Sequence, residues 1–322
     1  MERPPVVVVH VGLRPYVELC LERAAGSNPD GRVVLLGDAS NAGIGIGEHH
    51  RLDDPSLQDD IAEFREVYQH SSTKGEKFER LCIERWFAVR NFMRRERLER
   101  CLVIDTDVLL FCDVAEEAAR FRNAGMTFAR WDESRLLPHC NFIGSRSAIE
   151  SFCGYVLEVY REPARLRAVK VKNGKKFGRH WVSDMSLFAD WSTRGGCTIG
   201  MLEDAAADGV AYDDAIDRTR GYVHRSFAPG VLRPWKWIEY RDGVPHARSL
   251  RVGDVPLKCV HFHGAFKELM ARHTRGITDD WEAAAIMMRR KVQGLPTKAL
   301  KFARSYLHVG RTGSSRTARR AA

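Results

Sequence analysis

Two aspartates one residue apart carry the clearest chemical signal in this 322-residue chain. Asp105-Thr106-Asp107 follows the apolar run Cys101-Leu-Val-Ile104 and precedes the apolar run Val108-Leu-Leu-Phe111. Carboxylates set between two buried runs are costly unless a partner uses their charge. At the end of a strand, this spacing can direct both at one cation. Hard divalent ions take oxygen ligands and neutralise phosphate leaving groups, so phosphate-linked chemistry around a metal is what the pair suits. A second signal, His261-Phe-His263-Gly264-Ala-Phe-Lys267, closes another apolar run. The imidazole of His261 suits a manganese-like ion. Gly264 lets backbone approach a phosphate, and Lys267 supplies a point charge.

The elements that must position these residues read as alternating strands and helices. Residues 6–11 are short, β-branched and bounded by Pro5 and Gly12, as in a strand covered on both faces. Residues 15–25 have helical spacing and stop at Gly26; residues 32–36 read as a second buried strand ending at Gly37-Asp38. Strand, helix, strand at this length predicts a βαβ unit and a parallel sheet. Ligands of such sheets bind beyond the carboxyl ends of the strands, which puts Gly12, Gly37 and Asp38 on the site's side. Residues 41–47 have G-x-G-x-G with no helix opening after it, and read as a glycine-rich surface loop. Helices are expected over 77–93, 148–160, 183–191 and from Asp279-Asp280 to about Val292. Short strands are expected over 101–104, 126–129, 141–144 and 258–262, with an Asp242-Gly243 hairpin after 237–240.

In combination and in this order, Asp105-Thr106-Asp107 and His261-x-x-Gly264-x-x-Lys267 resemble the motifs of nucleotide-sugar glycosyltransferases with the GT-A fold, especially the glycogenin and bacterial lipooligosaccharide galactosyltransferase group. Asn141-Phe-Ile-Gly144 is similar to that family's N-x-G-x segment. Ser183-Asp184-Met185-Ser-Leu187 is similar to its D-Q-x-x-L, with Met185 where Gln is usual. Arg85 is similar to its Arg or Lys near the nucleotide. The resemblance spans residues 6–267. It implies an α/β, GT-A fold: a Rossmann-like, mostly parallel central sheet flanked by helices. The catalytic domain would be 1–278, followed by a helical basic extension, 279–322. It also implies sugar transfer from a nucleoside diphosphate sugar, with UDP favoured, to a glycan or glycolipid acceptor with retained anomeric configuration. Asp105, Asp107 and His261 would hold Mn²⁺ or Mg²⁺. Val11, Gly12, Asp38, Arg85, Asp105, Thr106, Gly264 and Lys267 would contact the donor. Asp184 and Asn141 would stand at the reacting centre.

Composition frames this reading. With 51 Lys+Arg against 42 Asp+Glu, the formal charge is +9, yet no Asp or Glu follows Glu282. Setting aside the ten Lys and Arg after that point leaves 41 basic against 42 acidic residues, a nearly neutral body. Ala299, Leu300, Ala303, Tyr306 and Leu307 fall on one helical face among Lys298, Lys301 and Arg304, the pattern of a segment lying on an anionic membrane; a solvated tail is the alternative. The N-terminus lacks a signal-peptide pattern, so a cytoplasmic location, peripheral on the inner membrane face, is expected. Eight cysteines without a C-x-x-C pair read as small buried hydrophobes. Asp213-Asp214 reads as a solvated loop. At least two of Trp181, Trp235 and Trp237 are expected in the core. His263 is either a substrate contact or an exposed ring. Two other functions compete. A haloacid dehalogenase-type phosphatase wants a Thr where Leu109 stands. A non-catalytic nucleic-acid or anionic-surface binder would line the sheet's own loops with basic residues, and no RNA-recognition, helix-turn-helix or zinc-finger pattern appears.

Overall fold

The computed structural model describes residues 3–177, 181–227, 231–277 and 280–293. The first strand, β1 (Val6–Val9), leads through α1 (Pro15–Ser27) to β2 (Val33–Gly37) and β3 (Glu48–Arg51). Pro15 sits in the first turn of α1, where its missing N–H costs nothing. Then come α2 (Ile61–Val67), α3 (Glu76–Arg95), β4 (Cys101–Ile104) and β5 (Val108–Leu110). Helix α3 carries Glu76 and Glu79 in its first turn and Arg94 and Arg95 in its last, as its dipole favours. The chain continues through α4 (Val114–Arg120), β6 (Met126–Asp132), β7 (Arg135–Leu137), β8 (Cys140–Ile143), α5 (Arg146–Arg161), α6 (Pro163–Phe177), α7 (Asp184–Ser192) and β9 (Ile199–Met201).

Among the described residues these strands form an eight-stranded sheet in the order β3-β2-β1-β4-β8-β6-β7, with β9 on β6. The pairs from β3 to β4 are parallel; β8 turns the sheet antiparallel against β4, and β9 runs parallel to β6. The α/β, Rossmann-like architecture expected from the sequence is therefore present, with its parallel half carrying β1, β2 and β4. Side chains on β1 alternate between two cores. Val6 and Val8 join Val17 and Leu21 of α1, while Val7 joins Trp86, Phe87 and Phe188 on the helical side. On that helical side Phe152 stacks on Phe188 at 3.7 Å, and Trp86 meets Phe188 edge-on at 4.9 Å.

The expected hairpin and the late strand over 258–262 belong to a second sheet, whose assembly was not legible in the sequence. It comprises β10 (Ala211–Tyr212), β13 (Ile238–Arg241), β14 (Val244–Ser249) and β15 (Gly253–His261), ordered β10-β15-β14-β13, with β5 added to β15. A two-stranded ribbon, β11 (His224–Arg225) with β12 (Trp235–Lys236), lies in the same stretch of chain. The Asp242-Gly243 hairpin is present, with φ of 51° and 78°, as a two-residue turn between β13 and β14 requires. The pairing of β5 with β15 sets Val108 opposite His261, so the two motifs converge. A short helix, α8 (Met270–His273), and α9 (Asp280–Gln293) follow.

The glycine-rich stretch forms a short 3-10 turn, Ala42–Ile44, before β3, and no long helix opens from it. All eight cysteines are free, six of them buried. Two expectations need correction. Only Trp235 of the three tryptophans is fully in the core, stacked on Phe227; Trp181 is half-buried and Trp237 is exposed under the Arg225 guanidinium. Asp213 and Asp214 are no solvated loop: Asp213 is 1% exposed, and both carboxylates bind the buried Lys236. No described helix is long and apolar enough to cross a membrane. Of the basic extension, the segment after Gln293, including Lys298 to Leu307, lies outside the described residues.

Candidate active site

The loop Asp105-Thr106-Asp107 joins β4 to β5 at the carboxyl end of β4. Asp105 N–H is held by the His139 carbonyl at 2.9 Å, and the Asp107 carbonyl accepts from Phe262 N–H at 2.8 Å. That second bond draws the acid loop against the end of β15. Ligand atoms of Asp105, Asp107 and His261 consequently lie within 4.8 Å of one another. Asp107 Oδ1 stands 3.5 Å from His261 Nε2, and Asp107 Oδ2 stands 2.9 Å from Lys267 Nζ.

The donor set fits a hard divalent ion. His261 Nδ1–H donates to the Asp214 carbonyl at 2.7 Å, which leaves Nε2 to face the carboxylates. A fixed second nitrogen of this kind is how ligand histidines are oriented. Two carboxylates and one imidazole nitrogen, spanning about twice a metal–ligand length of about 2.1 Å, suit Mg²⁺ or Mn²⁺. In the metal-free chain, burial works against a charge on His261, but the Asp107 carboxylate outweighs it and lifts the imidazole to about 9. Burial also opposes the charge on Asp107, yet His261 and Lys267 hold its carboxyl well below the usual range.

Arg85 joins this cluster to Asp184. One terminal nitrogen of its guanidinium binds Asp105, and the other reaches Asp184 Oδ2 at 3.0 Å. The guanidinium lies 4.8 Å over the Trp86 ring, whose Nε1–H also donates to Asp184 at 3.3 Å. Helix α3 thus delivers two adjacent donors to one carboxylate. Asp184 opens α7 behind the Ser183–Ser186 capping box, and its second oxygen accepts from Met185 N–H at 2.8 Å. Burial would lower the Arg85 pKa, but the two carboxylates raise it.

Gly12 N–H donates to Asp38 Oδ2 at 2.9 Å, which ties the loop after β1 to the loop after β2. Burial would raise the Asp38 carboxyl, but bonds from Ser40 and Gly12 pull it down. Asn41, fully buried, bonds the carbonyls of His10 and Gly12 and accepts from Asp38 N–H. Val11 is exposed beside them. Thr106 turns inward to His10, with 3.3 Å between Oγ1 and Nδ1. Gly264, at φ 62°, has nothing within 4 Å of an added Cβ, so backbone there stays open to a close approach. Lys267 Nζ lies 4.8 Å over the Tyr16 ring.

Asn141 is placed differently. It is fully buried in β8 opposite Val103, two residue steps inside the sheet from Asp105, and bonds the Thr127 carbonyl. His263 is exposed, with its ring 6.0 Å from Trp131 and 6.1 Å from His261. His10, Trp86 and the Asp213-Asp214 pair were missed by sequence reasoning. His10 and Trp86 sit next to residues that were singled out. The acid pair follows the apolar Val210-Ala-Tyr212, the same signal that marked Asp105.

No protein-family model matches the chain, and no curated protein matches it. Solved structures do resemble it. The galactosyltransferase LgtC, in complex with donor and acceptor sugar analogues, is 11% identical over 86% of this chain and 99% of its own, with a TM-score of 0.45. Mouse xyloside xylosyltransferase 1 is 10% identical over 62% of this chain and 84% of its own, at 0.43. The bifunctional glycosyltransferase WbbM is 12% identical over 89% of this chain and 52% of its own, at 0.44. All three are named as glycosyltransferases, the class that the sequence motifs resemble.

Proposed function

We propose that this chain is a metal-dependent glycosyltransferase that moves a sugar from a nucleoside diphosphate sugar, with UDP as the nucleotide, to a glycan or glycolipid acceptor with retention. The observation that carries this reading is the convergence of Asp105, Asp107 and His261, with Lys267 alongside and Asp184 joined through Arg85. Bound Mn²⁺ or Mg²⁺ would supply charge stabilisation for the departing nucleotide. Lys267 and the open backbone at Gly264 hold the diphosphate. Val11, Gly12 and Asp38 hold base and ribose, and Thr106 backs the acid loop. Arg85 holds Asp184 aimed at the sugar's side of the site. Asn141, buried in the sheet beneath, supports the reacting centre from behind. Met185 stands where the family has Gln, so the contact made there is this chain's own.

The acceptor side is where location enters. The basic segment after Gln293 would hold the enzyme against the anionic inner face of a membrane, where lipid-linked acceptors are found. Deleting it is expected to preserve donor binding and to weaken binding to anionic liposomes; unchanged liposome binding would remove this anchor. The test of the function itself is a donor panel scored by thermal shift with Mn²⁺, since a ligand of the native state raises Tm. NMR of the product anomer tests retention, and an inverted product rejects it.

A further inference from the structure

The residues behind His261 form a closed frame that the reaction itself does not require. Asp213 and Asp214 lie between β10 and the loop that leads to the ribbon. Asp213 Oδ2 accepts the His261 main-chain N–H at 3.0 Å, and the Asp214 carbonyl accepts its ring Nδ1–H at 2.7 Å. The Asp213 carbonyl takes a bond from His139 Nε2 at 2.9 Å, and the His139 ring stacks on His261 at 4.8 Å, 17° from parallel. The main chain closes the frame: Ile216 N–H donates to the His261 carbonyl at 2.9 Å. Lys236, 2% exposed on β12, binds Asp213 Oδ1 and, at 2.8 Å, Asp214 Oδ1; Arg218 takes Asp214 Oδ2 at 2.5 Å.

Burying such charges costs several kcal/mol per ion, and well-packed apolar residues often serve stability as well. What an apolar replacement cannot supply is a fixed dipeptide whose carbonyl and carboxylate both face one histidine. We propose that Lys236 is a positioning residue for the divalent cation. By clamping Asp213 and Asp214, it holds His261 in the tautomer and ring orientation that turn Nε2 to Asp105 and Asp107. This rests on the reading of Asp105, Asp107 and His261 as a metal site. Lys236 touches neither the cation's ligands nor the donor; it acts only through the dipeptide. Its own main-chain N–H, bonded to the Ile216 carbonyl at 2.8 Å, fixes the strand that carries it.

The test is titration of the full-length, metal-free protein with Mn²⁺ alone, followed by calorimetry, with no sugar donor present. Lys236→Met is expected to weaken Mn²⁺ about 10- to 100-fold, the usual effect of losing a residue that orients a ligand. In NMR spectra the wild type is expected to show a slowly exchanging His261 Nδ1 proton, assignable by its absence in His261→Gln, and Lys236→Met is expected to lose it. Val159→Ala, in the distant α5 core, serves as the control: it should lower Tm yet leave the Mn²⁺ Kd unchanged. If Lys236→Met does not fold, Asp214→Asn decides, since it loosens the clamp and keeps the carbonyl; a severalfold loss is expected. A folded Lys236→Met or Asp214→Asn with wild-type Mn²⁺ affinity and an intact Nδ1 proton overturns the proposal alone. Wild-type protein that binds no Mn²⁺ overturns both the proposal and the metal-site reading.

Discussion

Arg85 donates to Asp184 across 3.0 Å and, with the neighbouring Trp86 Nε1–H at 3.3 Å, couples helix α3 to the first turn of α7. The same guanidinium holds Asp105, so the Asp105 and Asp184 carboxylates share one counter-charge. A forked group is needed for that; a lysine offers one point charge. Arg85→Lys is therefore expected to lower turnover about 100-fold or more, the scale of losing one oriented electrostatic contact. Mn²⁺ affinity should change much less. Steady-state rates beside a Mn²⁺ titration check this, and parallel losses in both would place Arg85 in the cation site instead.

Asn41 is the knot between the loops after β1 and β2. It is fully buried, with bonds to His10, Gly12 and Asp38. Asn41→Ala leaves those groups without their partner, at a cost of about 1–3 kcal/mol for each one kept from water. Chemical denaturation should show the loss, and nucleotide affinity should fall with it because Gly12 and Asp38 lose their registry. A variant that is destabilised but binds UDP normally would separate this knot from the nucleotide.

Three histidines give the metal-free protein a defined pH response. Burial pulls His10 down to about 4, with Lys267 adding to it, and burial beside Arg272 pulls His273 down to about 3. Below about 6.5 the unfolded chain takes up these protons and the folded chain does not, so stability falls as pH drops from 6.5 toward 4. His261 has the opposite sign. Its folded value of about 9 lies above the unfolded one, so its contribution is complete below about 6.5 and is lost as pH rises through 9. Urea melts across pH 4–9 should show a maximum near 6.5 from these groups. His273→Gln should remove one proton's slope, about 1.4 kcal/mol per pH unit, from the acid limb.

What could be read from the sequence follows from physical range. The strands β1, β2 and β4 are continuous apolar runs, and Asp105 and Asp107 break one such run, so both fold class and acid pair are local features. The motif around His261 is local too. The second sheet depends on pairings across long separations, such as Leu109 of β5 with Val260 of β15, and no short window contains them. Asp213-Asp214 failed for the same reason. Its partner Lys236 lies 22 residues or more away, and without it two adjacent acids look solvated. Trp237 reads as core by residue type, but it falls in the joint between β12 and β13, exposed under the Arg225 guanidinium, while Trp235 and Lys236 are buried.

The central claim is that Asp105, Asp107 and His261 hold a cation on which donor binding depends. Calorimetric titration of UDP-sugars into wild-type and Asp107→Ala protein, each with and without Mn²⁺, tests it most directly. The expected result is binding by the wild type only when Mn²⁺ is present, and none by Asp107→Ala, whose far-UV spectrum stays native. Full-strength, Mn²⁺-dependent binding by Asp107→Ala would contradict the site, and wild-type binding that ignores Mn²⁺ would contradict the metal.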